Sequence, residues 1–305
     1  FVSGKGGVGK TSIAAALARE AARRGKRVLL SDADGRGDLA AAFASRPLTY
    51  KPTEVAPGIA AMTMHTEDAL AEYLRVFAHV PLARRLGPLA RTFEFVATAA
   101  PGVREILVVG KFAYEVREEH YDLVIVDAAS SGHIVSQLSA PHAIAEVARV
   151  GLVNRQTQWM IDLLADPATT GAVLVTLAEE MPVIETSELV QRLAIETEVD
   201  VAAVVVNRVL PELFGRAEED IFASVRAGEG RRALSAAVGS GTASVLDAAE
   251  FALTRRRQRA EHLEWLQTEL AGRAPTLLVP ELFDAAQGAT FSEHLGVALG
   301  DEVAR

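Results

Sequence analysis

Gly4-Lys5-Gly6-Gly7-Val8-Gly9-Lys10-Thr11 is the stretch from which the rest of this 305-residue chain can be read. Its spacing, a glycine, four residues and then Gly-Lys-Thr, is that of a phosphate-binding loop. Phe1-Val2 in front reads as the end of a buried strand, and residues 12–24 behind are alanine-rich and helical. Strand, glycine loop and helix in that order are the setting such a loop requires. The glycines let successive backbone N–H groups turn inward toward one anion. The helix start adds about half a positive charge at the same spot. Gly4, Lys5, Gly6, Gly7, Val8, Gly9, Lys10, Thr11 and Ser12 are therefore assigned to binding a nucleoside triphosphate. Lys10 is expected to reach the β- and γ-phosphates, and the Thr11 hydroxyl to ligate Mg²⁺.

Bulk composition narrows the partners. Half of the residues are hydrophobic, so a full core is easily built, and 31 Lys and Arg against 40 Asp and Glu leave a net charge of −9. Such an acidic chain has no broadly basic surface, which argues against nucleic acid as a partner. No cysteine is present. Disulfides, thiolate zinc sites and an iron–sulfur cluster are excluded on that ground. No run of about 18 uninterrupted apolar residues reads as a transmembrane segment. The chain starts in mid-strand at Phe1 without an initiator Met, which reads as trimming and not as removal of a signal peptide, so a cytoplasmic location is expected.

Along the chain, residues 27–31 form a short apolar run after Gly25, as a buried parallel strand does. Asp32-Ala33-Asp34-Gly35-Arg36-Gly37-Asp38 stands at its carboxyl end, where open α/β sheets gather ligands. Residues 58–64 read as another strand. Residues 121–127 end an apolar run in Asp127, the form of a strand whose terminal carboxylate holds Mg²⁺ through water. The small residues of Ala128-Ala129-Ser130-Ser131-Gly132-His133 suit a loop that senses the γ-phosphate. Further strands are expected at 171–176, 201–206 and 276–279, with helices at 184–196 and 291–299, and 209–272 reads as helical with a glycine-rich break at 228–241. Alternating strands and helices predict an α/β fold, a doubly wound, mostly parallel sheet of about seven strands. The chain is expected to be one domain over 1–305, with a helical subdomain of about 67–119 plus about 139–165 inserted in it.

With Lys5 inside the loop, the first motif resembles the deviant phosphate-binding loop of the MinD/ParA/ArsA group of ATPases. Residues 27–43 align without gaps to the strand and first switch of the ArsA family, coinciding at Val28, Leu29, Leu30, Asp34, Leu39, Ala42 and Phe43. Asp127, Ala129, Gly132 and His133 match its second switch, and Leu138-Ser139-Ala140-Pro141 follows in register. Met181-Pro182-Val183-Ile184-Glu185-Thr186 and Asn207-Arg208-Val209-Leu210-Pro211 also resemble segments of that family. The first switch departs from the family at Gly35-Arg36-Gly37 and the second at Ala128 and Ser130.

The resemblance implies an ATP-hydrolysing dimeric switch, with a ParA- or MinD-type positioning ATPase acting on DNA or membrane, or a weakly active nucleotide-stabilised scaffold subunit, as the alternatives. It makes Lys5 a lysine that reaches phosphates across the dimer interface, and Asp34 the carboxylate that positions the attacking water. It makes Asn207 a contact to adenine, with Arg208, Pro280 and Glu281 on the same side. Asp32 would project to the other face of an extended segment and reads as fold-supporting. The implied cofactors are ATP and Mg²⁺, with Thr11 and Asp127 holding the metal. The implied partner is a second ArsA-like subunit, identical or dissimilar, and the helical insertion suits a hydrophobic client protein. Arsenite is excluded as a ligand, because metalloid binding in that family uses cysteine thiolates. The basic run Arg255-Arg256-Arg257-Gln258-Arg259 reads as a solvated helix face, with contact to anionic lipid as its other use.

Overall fold

The computed structural model describes every residue except Asp34, Arg36, 78–101, 148–149, Gly151, Leu213, Ser240, 284–287 and Arg305. β1 (Val2–Gly4) runs into the glycine loop and then into α1 (Lys10–Arg23). β2 (Val28–Asp32) is buried along its whole length and leads to the short α2 (Asp38–Ala42). β3 (Thr53–Ala56) and β4 (Ile59–Thr63) fold back on each other around Pro57-Gly58. α3 (Thr66–Phe77) and α4 (Val103–Arg117) precede β5 (Leu123–Asp127). Then come α5 (Ser131–Val147), α6 (Leu152–Ala165), β6 (Ala172–Leu177), α7 (Glu180–Glu196) and β7 (Val201–Val209). The chain continues through α8 (Arg216–Val225), α9 (Gly228–Val238) and the long α10 (Thr242–Glu269). It closes with β8 (Thr276–Pro280) and α11 (Ala289–Val303).

Among the described residues, eight strands form one sheet in the order β3-β4-β2-β5-β1-β6-β7-β8. Every neighbouring pair is parallel except β3 with β4. The eighth strand, beyond the seven or so expected, is β3, an antiparallel edge. Helices on both faces explain why the central strands read as unbroken apolar runs and not as alternating ones. Leu29, Met62, Val126, Leu174 and Val204 point into one core, and Leu30, Ile13, Ile125, Val175 and Val205 into the other. Truncating a fully buried member such as Leu30 to alanine costs about 2–5 kcal/mol by cavity formation.

Two local expectations are corrected. Gly132 and His133 are not loop residues, since α5 starts at Ser131 and the His133 N–H already bonds back to the Ser130 carbonyl at 2.8 Å. Gly228–Val238 is a helix and not a break. Its Gly230 sits where a Cβ would stand 2.5 Å from the Ser224 carbonyl, so the glycine permits the close approach of α9 to the end of α8. At the far edge of the sheet, the outward N–H of Leu278 donates to Glu302 Oε1 of α11 at 3.1 Å. Among the described residues no helix is long and apolar enough to cross a membrane.

Candidate functional site

The glycine loop lies between the carboxyl end of β1 and α1, at the centre of the sheet. Gly4 has φ of 148°, and a Cβ there would fall 2.1 Å from the Val175 carbonyl, so only glycine lets the chain turn out of β1 against β6. Gly9 caps α1 in the left-handed region with no side-chain hydrogen bond to the first turn. That leaves the leading N–H groups of α1 facing the cleft, which is the arrangement an anion needs. Lys10 Nζ donates to the Lys5 carbonyl at 3.3 Å, arching over the loop.

Strand register supplies the acidic side. Asp32 and Asp127 are direct partners at the ends of β2 and β5, one strand apart and both buried. Thr11 Oγ1 donates to Asp127 Oδ2 at 2.6 Å. Asp32 accepts from the N–H groups of Gly35 and Gly37, both at 2.8 Å, and so supports the fold of the loop after β2. It also lines the cleft, which the expected projection to the opposite face did not anticipate. A hydroxyl and two carboxylates form an all-oxygen donor set, the kind that Mg²⁺ takes. The cleft they share is a cavity of about 410 Å³ lined also by Gly7, Ser12, Asp38 and the α11 residues Phe291 and Ser292. Asp34 lies outside the described residues.

Lys5 is not among the residues that line this cavity. Its Nζ is 2.5 Å from Glu185 Oε1 of α7, with both side chains about one-third exposed. On the other flank, Asn207 at the end of β7 is buried against the glycine loop. Its Nδ2 donates to the Val8 carbonyl at 2.9 Å, and its Oδ1 accepts from the Arg208 N–H at 3.0 Å. Arg208 takes φ of 56°, a left-handed conformation uncommon outside glycine. Pro280 and Glu281 stand beside it, with the Glu281 N–H donating to the Val209 carbonyl at 2.9 Å. His133 faces a separate polar cavity of about 340 Å³ with Ser130, Arg104 and Gln137. The structure brings the loop, Thr11, Asp127, Asn207, Arg208, Pro280 and Glu281 together along the carboxyl ends of the strands. Glu185, Phe291 and Ser292 were not singled out, because nothing local marks them.

A mononucleotide cleft at the centre of a parallel sheet has many owners, so the chain's relatives decide which. The family described as anion-transporting ATPase matches residues 1–159 and 150–229. The chain belongs to the anion-transporting ATPase family. It is 35% identical over 302 residues to the ATPase BagA of Mycobacterium tuberculosis, a match covering 92% of this chain and 85% of that protein. ATPase get3 of Schizosaccharomyces japonicus is 27% identical over 242 residues, 69% of this chain and 74% of its own. The arsenical pump-driving ATPase of Acidiphilium multivorum is 28% identical over 243 residues, 73% of this chain but 41% of its own. The first matched segment includes the glycine loop, Asp32 and Asp127, which line the cleft.

Proposed function

We propose that this chain binds Mg·ATP in the central cleft and hydrolyses it slowly, as one subunit of a dimeric switch in the cytoplasm that acts on a client or partner protein. The register of Asp32 beside Asp127, with Thr11 bonded to the latter and the uncapped start of α1 behind, is the observation that carries the reading. Thr11 and Asp127 would hold Mg²⁺, the latter through water, and the bound metal would neutralise charge on the β- and γ-phosphate oxygens. Lys10 and the loop amides fix the phosphates. Asp34 orients the water, a role that rests on the family resemblance.

Lys5 supports the dimeric part of the reading. A lysine held by Glu185 in its own chain is not spent on its own phosphates, so it is available to a partner's. Releasing it is cheap, because an ion pair one-third exposed on both sides contributes about 1 kcal/mol or less. The client part is supported by an apolar cavity of about 270 Å³ among α3, α4, α5 and α6, lined by Leu70, Val76, Ile106, Leu107 and Met160. These helices are the proposed inserted subdomain. With no cysteine in the chain, a thiolate site for a metalloid or zinc has no ligands.

Light scattering of the purified chain with ADP, then with ATP and Mg²⁺, tests the proposal. A monomer that doubles in mass only with ATP supports a self-contained switch. A monomer in both states removes the homodimer and calls for a dissimilar subunit. Absence of any ATP binding by calorimetry overturns the reading.

A further inference from the structure

The carboxyl ends of β6, β7 and β8 meet a single side chain from outside the sheet. Arg259, two-thirds of the way along α10, is only 13% exposed. Its Nη2 donates to Glu179 Oε1 at 2.5 Å, just beyond β6. Its Nη1 donates to the Arg208 carbonyl at 3.3 Å and lies 3.6 Å from Glu281 Oε2. The rest of the basic run does something else. Arg256 and Arg257 face Glu212 and Glu219, and Arg255 stands over the Phe251 ring. Those three fit the solvated face expected of the run, and Arg259 departs from it.

The position of this clamp relative to the phosphates gives it meaning. Thr11, Asp32 and Asp127 mark where the metal and terminal phosphate belong, on the β2–β5 side of the glycine loop. On the opposite flank the bond from Asn207 to the Val8 carbonyl brings the ends of β7 and β8 against the loop, where a nucleoside would extend. There the rim presents acceptors: the Arg208 carbonyl, held out by a backbone at φ of 56°, and the Glu281 carboxylate. Acceptors facing position 6 of a purine match the 6-amine of adenine and reject the 6-carbonyl oxygen of guanine. A guanidinium can hold two such acceptors in fixed directions at once, which an ammonium cannot.

We propose that Arg259 is a positioning residue for base selection, fixing the Arg208 carbonyl and the Glu281 carboxylate as the rim that recognises a purine with an amine at C6. The proposal rests on the reading of the cleft as a nucleotide site. The test measures Mg²⁺-dependent affinities of the full chain for ATP, GTP and inorganic tripolyphosphate, in wild type, Arg259→Ala and Arg259→Lys. Wild type is expected to favour ATP over GTP by about tenfold or more, the effect of one well-placed hydrogen bond against an unpaired one. Arg259→Ala should bring that ratio to near one with tripolyphosphate affinity unchanged, and Arg259→Lys should restore only part of it. An unchanged ATP:GTP ratio in Arg259→Ala overturns the proposal, as does an equal loss for ATP and tripolyphosphate, which marks a general structural role. Wild type that binds tripolyphosphate without base preference also overturns it while leaving the phosphate site intact. Wild type that binds none of the three removes both readings. Should Arg259→Ala not fold, Glu281→Gln keeps the bonds to Glu179 and Arg208, and its ATP:GTP ratio must fall for the proposal to stand.

Discussion

Gly9 and Asn207 show how tightly single positions are specified around the cleft. Gly9 has φ of 94°, and a Cβ there would stand 2.5 Å from Asn207 Nδ2. Gly9→Ala therefore meets both a left-handed backbone cost of about 1–2 kcal/mol and a buried amide with no room to move. We expect it to abolish measurable ATP binding by calorimetry, and Asn207→Ala in the same chain to recover part of it by removing the clash. Wild-type affinity in Gly9→Ala would show the loop is not held as described. Glu185→Gln should leave folding stability within about 1 kcal/mol while shifting ATP-dependent association to lower protein concentration, because it frees Lys5. Lys5→Ala should abolish turnover with the monomer fold intact; unchanged hydrolysis would sink the trans-lysine role. The loop, Thr11 and Asp127 were legible in sequence because their chemistry is local and fixed in spacing. Glu185 and Arg259 were not, since their partners lie 180 and 80 residues away and a distant ion pair leaves no pattern in the neighbouring residues.

At the scale of elements, the cluster joining α3 to α4 carries the clearest energetic consequence. Lys111 Nζ lies 2.6 Å from Glu115 Oε1 and 2.8 Å from Glu72 Oε2, with its own side chain 6% exposed. Burial pulls its pKa down, but hydrogen bonds and charge from Glu115 and Glu72 outweigh that, and the net shift is upward. A raised lysine stabilises fully below its ordinary value and loses that contribution only as pH climbs through the folded one, so the share that Lys111 contributes is constant near neutrality. Lys111→Met leaves Glu115 with His120 and Glu72 with Tyr50 but removes the cation they share, and should cost about 3 kcal/mol, read from the denaturant midpoint. Adding Glu115→Gln should return part of the loss; no loss in the single variant would mean the cluster is not buried in solution. Helices and parallel strands were legible here because they are long or continuously apolar. β3 was missed because four residues, two of them exposed, are too few to show a period, although Pro57-Gly58 after it is a turn signal. α9 was missed because glycine in a helix costs about 1 kcal/mol and reads as a stop, whereas here Gly230 allows a close helix contact.

For the molecule as a whole, a net charge of −9 sets what its surface can hold without a dedicated patch. We expect neither duplex DNA nor anionic vesicles to retain the ATP-loaded protein by co-sedimentation at physiological salt, since phosphate-rich partners need neutralising cations. ATP-dependent, salt-sensitive retention would instead favour a positioning ATPase of the ParA or MinD kind. The arrangement of the sheet bears on a different hazard. One border is a four-residue strand whose pairing with its neighbour is bulged between Glu54 and Ala56. At the other, the Leu278 amide that would greet an incoming strand is already occupied by the Glu302 carboxylate. Open sheet borders are where polypeptides zip into fibres. With one border short and kinked and the other blocked by a fixed negative charge, crowded copies of this protein are guarded against polymerising strand upon strand.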